Sequence, residues 1–221
     1  MIVQRLMAEW PEPLPATLTA GLAIEQFADA APSVRHLPVV DNQGLLFGMV
    51  DLETVMDVPA ETEVGQLVMT PSPRVAPDAH PFEAAALVMQ HGLSALPVID
   101  EDGEYLGLLT RVRLFERIAL LTAAAREGGI VVVEMAAADY TLGQLVYVIE
   151  QNGVKILSVT TEFDGLEHGS ARVTLKLNTS DTARIRHVLG HYGYRIDEYH
   201  DSGSSEDFQL RLQELMRYLE V

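Results

Sequence analysis

Two stretches of the chain carry the same residues in the same register. The first, SVRHLPVVDNQGLLFGMVDLETVM, runs from Ser33 to Met56, and the second, GLSALPVIDEDGEYLGLLTRVRLF, runs from Gly92 to Phe115. Leu37, Pro38, Val39, Asp41, Gly44 and Gly48 recur 59 residues later as Leu96, Pro97, Val98, Asp100, Gly103 and Gly107. In each copy an apolar run ends at an Asp, a turn closed by Gly follows, and a second apolar run leads to Asp51 or Thr110, where a helix should begin. That order predicts strand, turn, strand, helix, twice over. Six identities at one offset mark an internal repeat rather than a lone motif.

The remaining chain is ordered around this repeat. Ile2 to Met7 can form one helical turn, and the three prolines between Trp10 and Pro15 require an extended segment. Gly21 to Ala31 has helical spacing with Pro32 beyond it, and Leu52 to Val58 closes the first unit as a short helix. The second unit begins at Val64 to Met69 and continues through a rigid segment, Thr70 to Pro77. Its helix, Pro81 to Gln90, has Pro at the first turn and ends before Gly92. Val112 to Ala125 predicts a closing helix, and Arg126-Glu-Gly-Gly129 a linker.

Beyond the linker the order is strand, helix, strand, strand, helix, strand: Ile130–Met135, Thr141–Asn152, Lys155–Phe163, Ala171–Leu177, Asp181–His191 and Tyr194–Tyr199. A βαββαβ unit makes a four-stranded antiparallel sheet with two helices on one face. A last helix follows Asp201–Ser205, with Phe208, Leu212, Leu215 and Leu219 on one stripe. The expected spans are 1–60, 61–125, 129–201 and 204–221.

Charge and composition exclude several function classes. The 221 residues carry a net charge of −17, which repels a nucleic-acid backbone unless basic residues are segregated. They are not: Arg111, Arg113 and Arg117 are interleaved with Leu114, Phe115 and Glu116. With no cysteine there is no disulfide, thiolate metal site or cysteine nucleophile. The first residues lack the apolar core of a signal peptide, and no apolar run reaches membrane-span length, so a soluble, cytoplasmic protein that binds neither nucleic acid nor membrane is expected. There is no G-x-S-x-G elbow, P-loop, dinucleotide fingerprint or metal-ligand cluster, and the protein is expected not to be an enzyme.

The two LPV(V/I)D…G…G copies resemble cystathionine-beta-synthase (CBS) domains, two of which in tandem make a Bateman module. The resemblance covers Met1 to roughly Thr122. The βαββαβ region resembles an ACT domain, a small-molecule regulatory fold, through its element order and its helix-Gly-Val-Lys-Ile-Leu-Ser-Val passage. Together they imply an α/β chain: two CBS units (β-α-β-β-α) in a pseudo-twofold pair, an ACT-like ferredoxin-type βαββαβ domain, and a C-terminal helix.

The CBS resemblance implies a site. In members that bind adenine nucleotides, a Thr or Ser after the second hairpin strand holds phosphate and an Asp three residues later holds the ribose hydroxyls. A hydroxyl beside the N–H groups of a helix N-terminus suits an anion. In the second copy Thr110 occupies the phosphate position, but Arg113 stands at the Asp position. Arg113 cannot accept from ribose, yet it can add a phosphate contact. Thr70, Pro71, Ser72 and Val75, with Ala95, Leu96 and Pro97, would form the walls. In the first copy Asp51 stands at the hydroxyl position and Thr54 at the Asp position, and a carboxylate there repels phosphate. Thr110 and Asp51 also stand where helix N-caps belong, so each has a structural role available.

In the ACT-like region the position of the family's loop Gly falls near Tyr140, which argues against amino-acid binding there, and Asp139 is expected to cap the following helix. His187 and His191 lie four apart on a helix, a spacing that can hold a metal; without a third ligand they are expected as solvated surface residues. Met56, Met69, Met89 and Met216 are expected in core or interface packing.

Two functions follow from the resemblance. One is a non-catalytic regulator that requires no cofactor, binds AMP, ADP, ATP or S-adenosylmethionine at the CBS pair and relays this to the ACT-like domain, to a homodimer partner, or to an effector enzyme or regulator. The other is an interaction protein with degenerate CBS sites that works through homodimerisation.

Overall fold

The repeated stretches fold as two hairpins with one register. In the computed structural model, which describes residues 2–8, 11–69, 71–165 and 169–201, β2 (His36–Val40) pairs antiparallel with β3 (Leu46–Asp51). β4 (Ala95–Ile99) pairs likewise with β5 (Tyr105–Thr110). Leu37 faces Val50 as Leu96 faces Leu109, and Val39 faces Gly48 as Val98 faces Gly107. Thr70 and the expected helix at 204–221, with its apolar stripe and Met216, lie outside the described residues.

The repeated residues have physical reasons to repeat. Asp41 Oδ1 accepts the N–H groups of Gln43 (2.8 Å) and Leu45 (3.0 Å), and Asp100 Oδ1 accepts those of Asp102 (3.0 Å) and Glu104 (2.8 Å). These local bonds fold each turn. Gly44 and Gly103 follow at φ of 83° and 87°, a left-handed conformation a side chain would strain. Leu37, Val39, Leu96 and Val98 are fully buried.

The hairpins meet each other's equivalents. Leu46 donates to the Gly103 carbonyl at 3.0 Å, and Tyr105, its counterpart, donates to Gly44 at 3.1 Å. The Arg35 N–H donates to the hydroxyl of its counterpart Ser94 at 2.8 Å. A copy that bonds to its own equivalent places a pseudo-twofold axis between the hairpins.

The segments preceding each hairpin cross that axis. Ala8 exchanges two backbone bonds with Leu108, at 2.8 and 2.9 Å, and Met69 donates to Met49 at 2.7 Å. Each therefore lies on the second strand of the other copy. One short strand precedes the first hairpin, β1 (Leu14–Pro15), parallel to β2, and Val75 bridges Val98 in the same sense.

Four helices cover these hairpins: α1 (Ala20–Asp29), α2 (Leu52–Met56), α3 (Pro81–His91) and α4 (Arg111–Leu121). α3 begins with a reciprocal cap: His80 Nδ1 accepts from Phe82 N–H, and Glu83 accepts from His80 N–H. It ends at Gly92, left-handed at φ 64°. α4 stops four residues short of the expected Ala125, because Ala123 adopts φ 52°, which no α-helix continues. Met56 and Met89 are 61% and 82% exposed, so neither is core; Met69 packs against the second hairpin's core. Their helices turn them away from the buried stripes that Val55 and Val88 occupy.

The described residues divide into two compact units between Ile118 and Ala119. The second has the expected order: β6 (Ile130–Ala136), α5 (Leu142–Gln151), β7 (Ile156–Asp164), β8 (Ser170–Leu177), α6 (Ala183–His191) and β9 (Arg195–His200). Its antiparallel sheet runs β7-β8-β6-β9. Alternate residues Val131, Val133, Val173 and Leu175 form one core with Leu145 of α5 and Leu189 of α6, which puts both helices on one face.

The linker is fastened to this second unit. Leu177 donates to the Gly129 carbonyl at 2.9 Å, and the buried Lys176 donates to Gly128 at 2.6 Å. Burial holds the Lys176 ammonium below its ordinary value. Asp139 ends a 3-10 turn, Ala137–Asp139, and Thr141 stands at the cap of α5, so the expected capping role is not realised.

Candidate functional site

Thr110 ends β5 at the start of α4, and its hydroxyl accepts the Arg113 N–H at 3.3 Å. The N-cap role is therefore present. The Arg111 N–H is taken by the Ser94 carbonyl at 2.8 Å, while the Thr110 hydroxyl keeps a proton to donate. Arg113 reaches the Leu6 and Met7 carbonyls with Nη1 at 3.4 and 3.5 Å. The first turn of α4 has no acidic residue but carries Arg111 and Arg113. Cations at a helix N-terminus oppose its dipole, by about 0.3–1 kcal/mol each, and an anion reverses that balance.

Thr110 and Arg113 line one cavity of about 620 Å³, together with Ala8, Pro11, Ser33 and Glu116. Glu116 stands on α4 itself, and the other walls come from the first unit's lead-in and from the turn before β2. The expected wall residues lie elsewhere. Val75, Ala95 and Leu96 are buried, Val75 and Leu96 in the second hairpin's core and Ala95 in the first's. Val75 donates to the Pro97 carbonyl at 3.1 Å, Pro71 is exposed and Ser72 half-buried, and none of these lines the cavity. The cause is the exchange of lead-ins: Met69 lies on β3 of the first copy, and Ala8 lies on β5 of the second. Ala8 and Pro11 have no motif of their own in the sequence, because their place depends on that crossing.

The first copy is closed at the corresponding position. Asp51 Oδ1 accepts the Thr54 N–H at 2.9 Å, and Oδ2 accepts the Thr54 hydroxyl at 2.6 Å. Burial alone would raise the Asp51 carboxyl, but the Thr54 hydroxyl and N–H hold it below its ordinary value. Asp51 is a charged N-cap whose partner is the residue at the ribose position, and a phosphate there would meet a carboxylate.

Between the hairpins, His36 Nδ1 accepts from the Ser94 N–H at 3.2 Å and lies 3.0 Å from the Ser94 hydroxyl, which itself accepts from Arg35. Burial pushes the His36 imidazole below its ordinary value of 6.5; Asp51 pulls it up, and Arg35 and Arg111 push it further down. The unfolded chain takes this proton as pH drops below about 6.5, while the folded chain does so only at lower pH. The associated stability is complete above that value and is lost as pH falls through the folded-state value. Denaturation between about pH 7.5 and 5.5 should therefore show a steeper loss for the native chain than for His36→Gln. Equal slopes would refute this. Asp51 and Asp201, both held below 3.8, act in a more acid range.

The CBS-domain family model matches residues 11–61 and 64–120, one match to each copy of the repeat. These residues are a CBS-domain pair. Its fold is also that of a CBS domain pair/ACT domain protein from Thermotoga maritima, at a TM-score of 0.50 and 20% identity, covering 54% of this chain and 98% of that one. A structure described as an acetoin utilization protein (AcuB) from Vibrio cholerae is 27% identical, with a TM-score of 0.47, covering 54% of this chain and 90% of that one. The magnesium transporter MgtE of Thermus thermophilus is 28% identical over 87 residues, which are 39% of this chain; the chain spans 19% of that transporter's length. No helix among the described residues is long and apolar enough to cross a membrane. The CBS pair occupies the first compact unit, and the cavity at Thr110 lies within it.

Proposed function

We propose that the CBS pair is the sensing part of a non-catalytic regulatory protein, and that the cavity at Thr110 and Arg113 takes an adenine nucleotide or a related anionic ligand. One observation carries this: in a chain with 15 basic residues and 32 acidic ones, the first turn of α4 has two arginines and no carboxylate, and one of the two, Arg113, lines the cavity beside Thr110, with Glu116 farther along the helix. A phosphate would accept from the Thr110 hydroxyl and from the Arg113 guanidinium at this helix N-terminus. Arg113 would then exchange its long contacts to Leu6 and Met7 for a charge-assisted one. That change removes one tie on the lead-in which crosses from the first copy, its backbone bonds to Leu108 remaining, and would give ligand binding a route to rearrange the pair, the ACT-like unit and a homodimer. Such coupling requires the two arrangements to differ in ligand affinity.

Calorimetry with AMP, ADP, ATP and S-adenosylmethionine tests the proposal. Arg113→Ala should weaken the phosphate-bearing ligands by about 1.5–3 kcal/mol, the range for a hydrogen bond to a charged group, and spare S-adenosylmethionine. Absence of heat with all four would reject a nucleotide-type ligand. It would favour the second function, an interaction protein acting through homodimerisation and a partner enzyme or regulator. The closed Asp51–Thr54 pair supports that second function at the first copy.

A further inference from the structure

His187 and His191 sit one turn apart on α6, opposite its buried residues Ile185 and Leu189. Both are exposed, as expected, and they also meet each other. Their Nε2 atoms stand 3.0 Å apart with ring planes at 88°. Two neutral imidazoles can share a hydrogen at this distance, but the convergence also suits a metal ion. With metal–nitrogen bonds of about 2.1 Å, a 90° angle places the nitrogens about 3.0 Å apart, and a tetrahedral angle about 3.4 Å. The separation fits two adjacent positions of a square-planar or octahedral shell.

We infer that His187 and His191 form a two-ligand site for a divalent first-row transition-metal ion, with Ni²⁺ and Cu²⁺ fitting as the pair stands and Zn²⁺ fitting after a slight opening. The surroundings leave room for one. A recess of about 300 Å³ is lined by both histidines, Gly190 and Arg186, and Gly190 puts no side chain beside the pair. The Arg186 charge is engaged elsewhere: Nε donates to Thr182 at 3.0 Å, Nη2 lies 3.9 Å from Asp201, and the guanidinium lies over the Tyr199 ring at 3.4 Å. No three His, Cys, Asp or Glu residues cluster to hold a metal among the described residues, and the inferred site is one of two protein ligands. Imidazole ligates only when unprotonated, and affinity falls in acid.

The full chain has seven histidines, so the test compares variants. Calorimetry with NiCl₂ and ZnCl₂ should show one ion bound per chain, weakened at least tenfold in His187→Ala and in His191→Ala and unchanged in His91→Ala. Nickel should also raise the thermal midpoint of the native chain and not of the two variants. His187→Gln and His191→Gln, closer in size, repeat the measurement if an alanine variant folds poorly. Native-like affinity in either folded variant, or no binding to the native chain at about 100 μM metal, overturns the site.

Discussion

Leu96→Ala is expected to destabilise the protein by about 2–5 kcal/mol, the range for a leucine removed from a packed core. Leu96 has no accessible surface and packs with Val75, Val88 and Leu109. Its strand, β4, is bonded on one side to β5 and on the other to Val75. Backbone held on both sides cannot close over the deleted methyl groups, so the cavity persists and the loss belongs in the upper part of that range. Against a total stability of 5–15 kcal/mol, typical of a domain, the urea midpoint should fall sharply with the slope unchanged. Met89→Ala, on the helix covering the same core but 82% exposed, should change stability by less than about 0.5 kcal/mol. A loss under about 1 kcal/mol at Leu96, or comparable losses at both positions, would contradict this account of the core.

The contrast between Leu96 and Met89 shows what the sequence could reveal. Leu96 is legible because a strand alternates and a repeated register fixes which face is inward; Met89 is one of several apolar residues on a helix, and only packing decides which are covered. The turns were equally legible, since Asp41, Gly44, Asp100 and Gly103 act through bonds and dihedrals within five residues of one another. The end of α4 was not. Ala123 adopts a left-handed φ that its residue type does not announce. The cavity divides in the same way: Thr110 and Arg113 stand where the CBS resemblance puts its phosphate and ribose positions, whereas Ala8 meets them across a hundred residues. No local pattern distinguishes a lead-in that stays with its own hairpin from one that crosses to the other. The crossing leaves one trace, the second repeated glycine.

Gly48→Ala tests that trace, with a second large expected effect. A Cβ at Gly48 would lie 2.7 Å from Val68 Cβ and 3.2 Å from both of its methyl groups. Val68 cannot swing aside, because its Cβ is fixed to a backbone that donates from the next residue, Met69, to Met49. The lead-in must lift off β3, at about 1–3 kcal/mol for overpacking, with the Met69 bond weakened in addition. At Gly107 the added Cβ would meet the Ala8 carbonyl oxygen at 3.0 Å and the Met7 sulfur at 3.2 Å. The Met7 side chain is flexible and can give way, and the Ala8 oxygen at 3.0 Å is a looser contact than Val68 Cβ at 2.7 Å, so Gly107→Ala should cost less than Gly48→Ala. It should nevertheless disturb ligand binding more, because Ala8 lines the cavity. Val68→Gly removes the obstructing atoms, so Gly48→Ala with Val68→Gly should be more stable than the sum of the single losses predicts, by a coupling of about 0.5–3 kcal/mol. Strict additivity, or equal losses at the two glycines, would mean that the crossing lead-ins are not what these glycines accommodate.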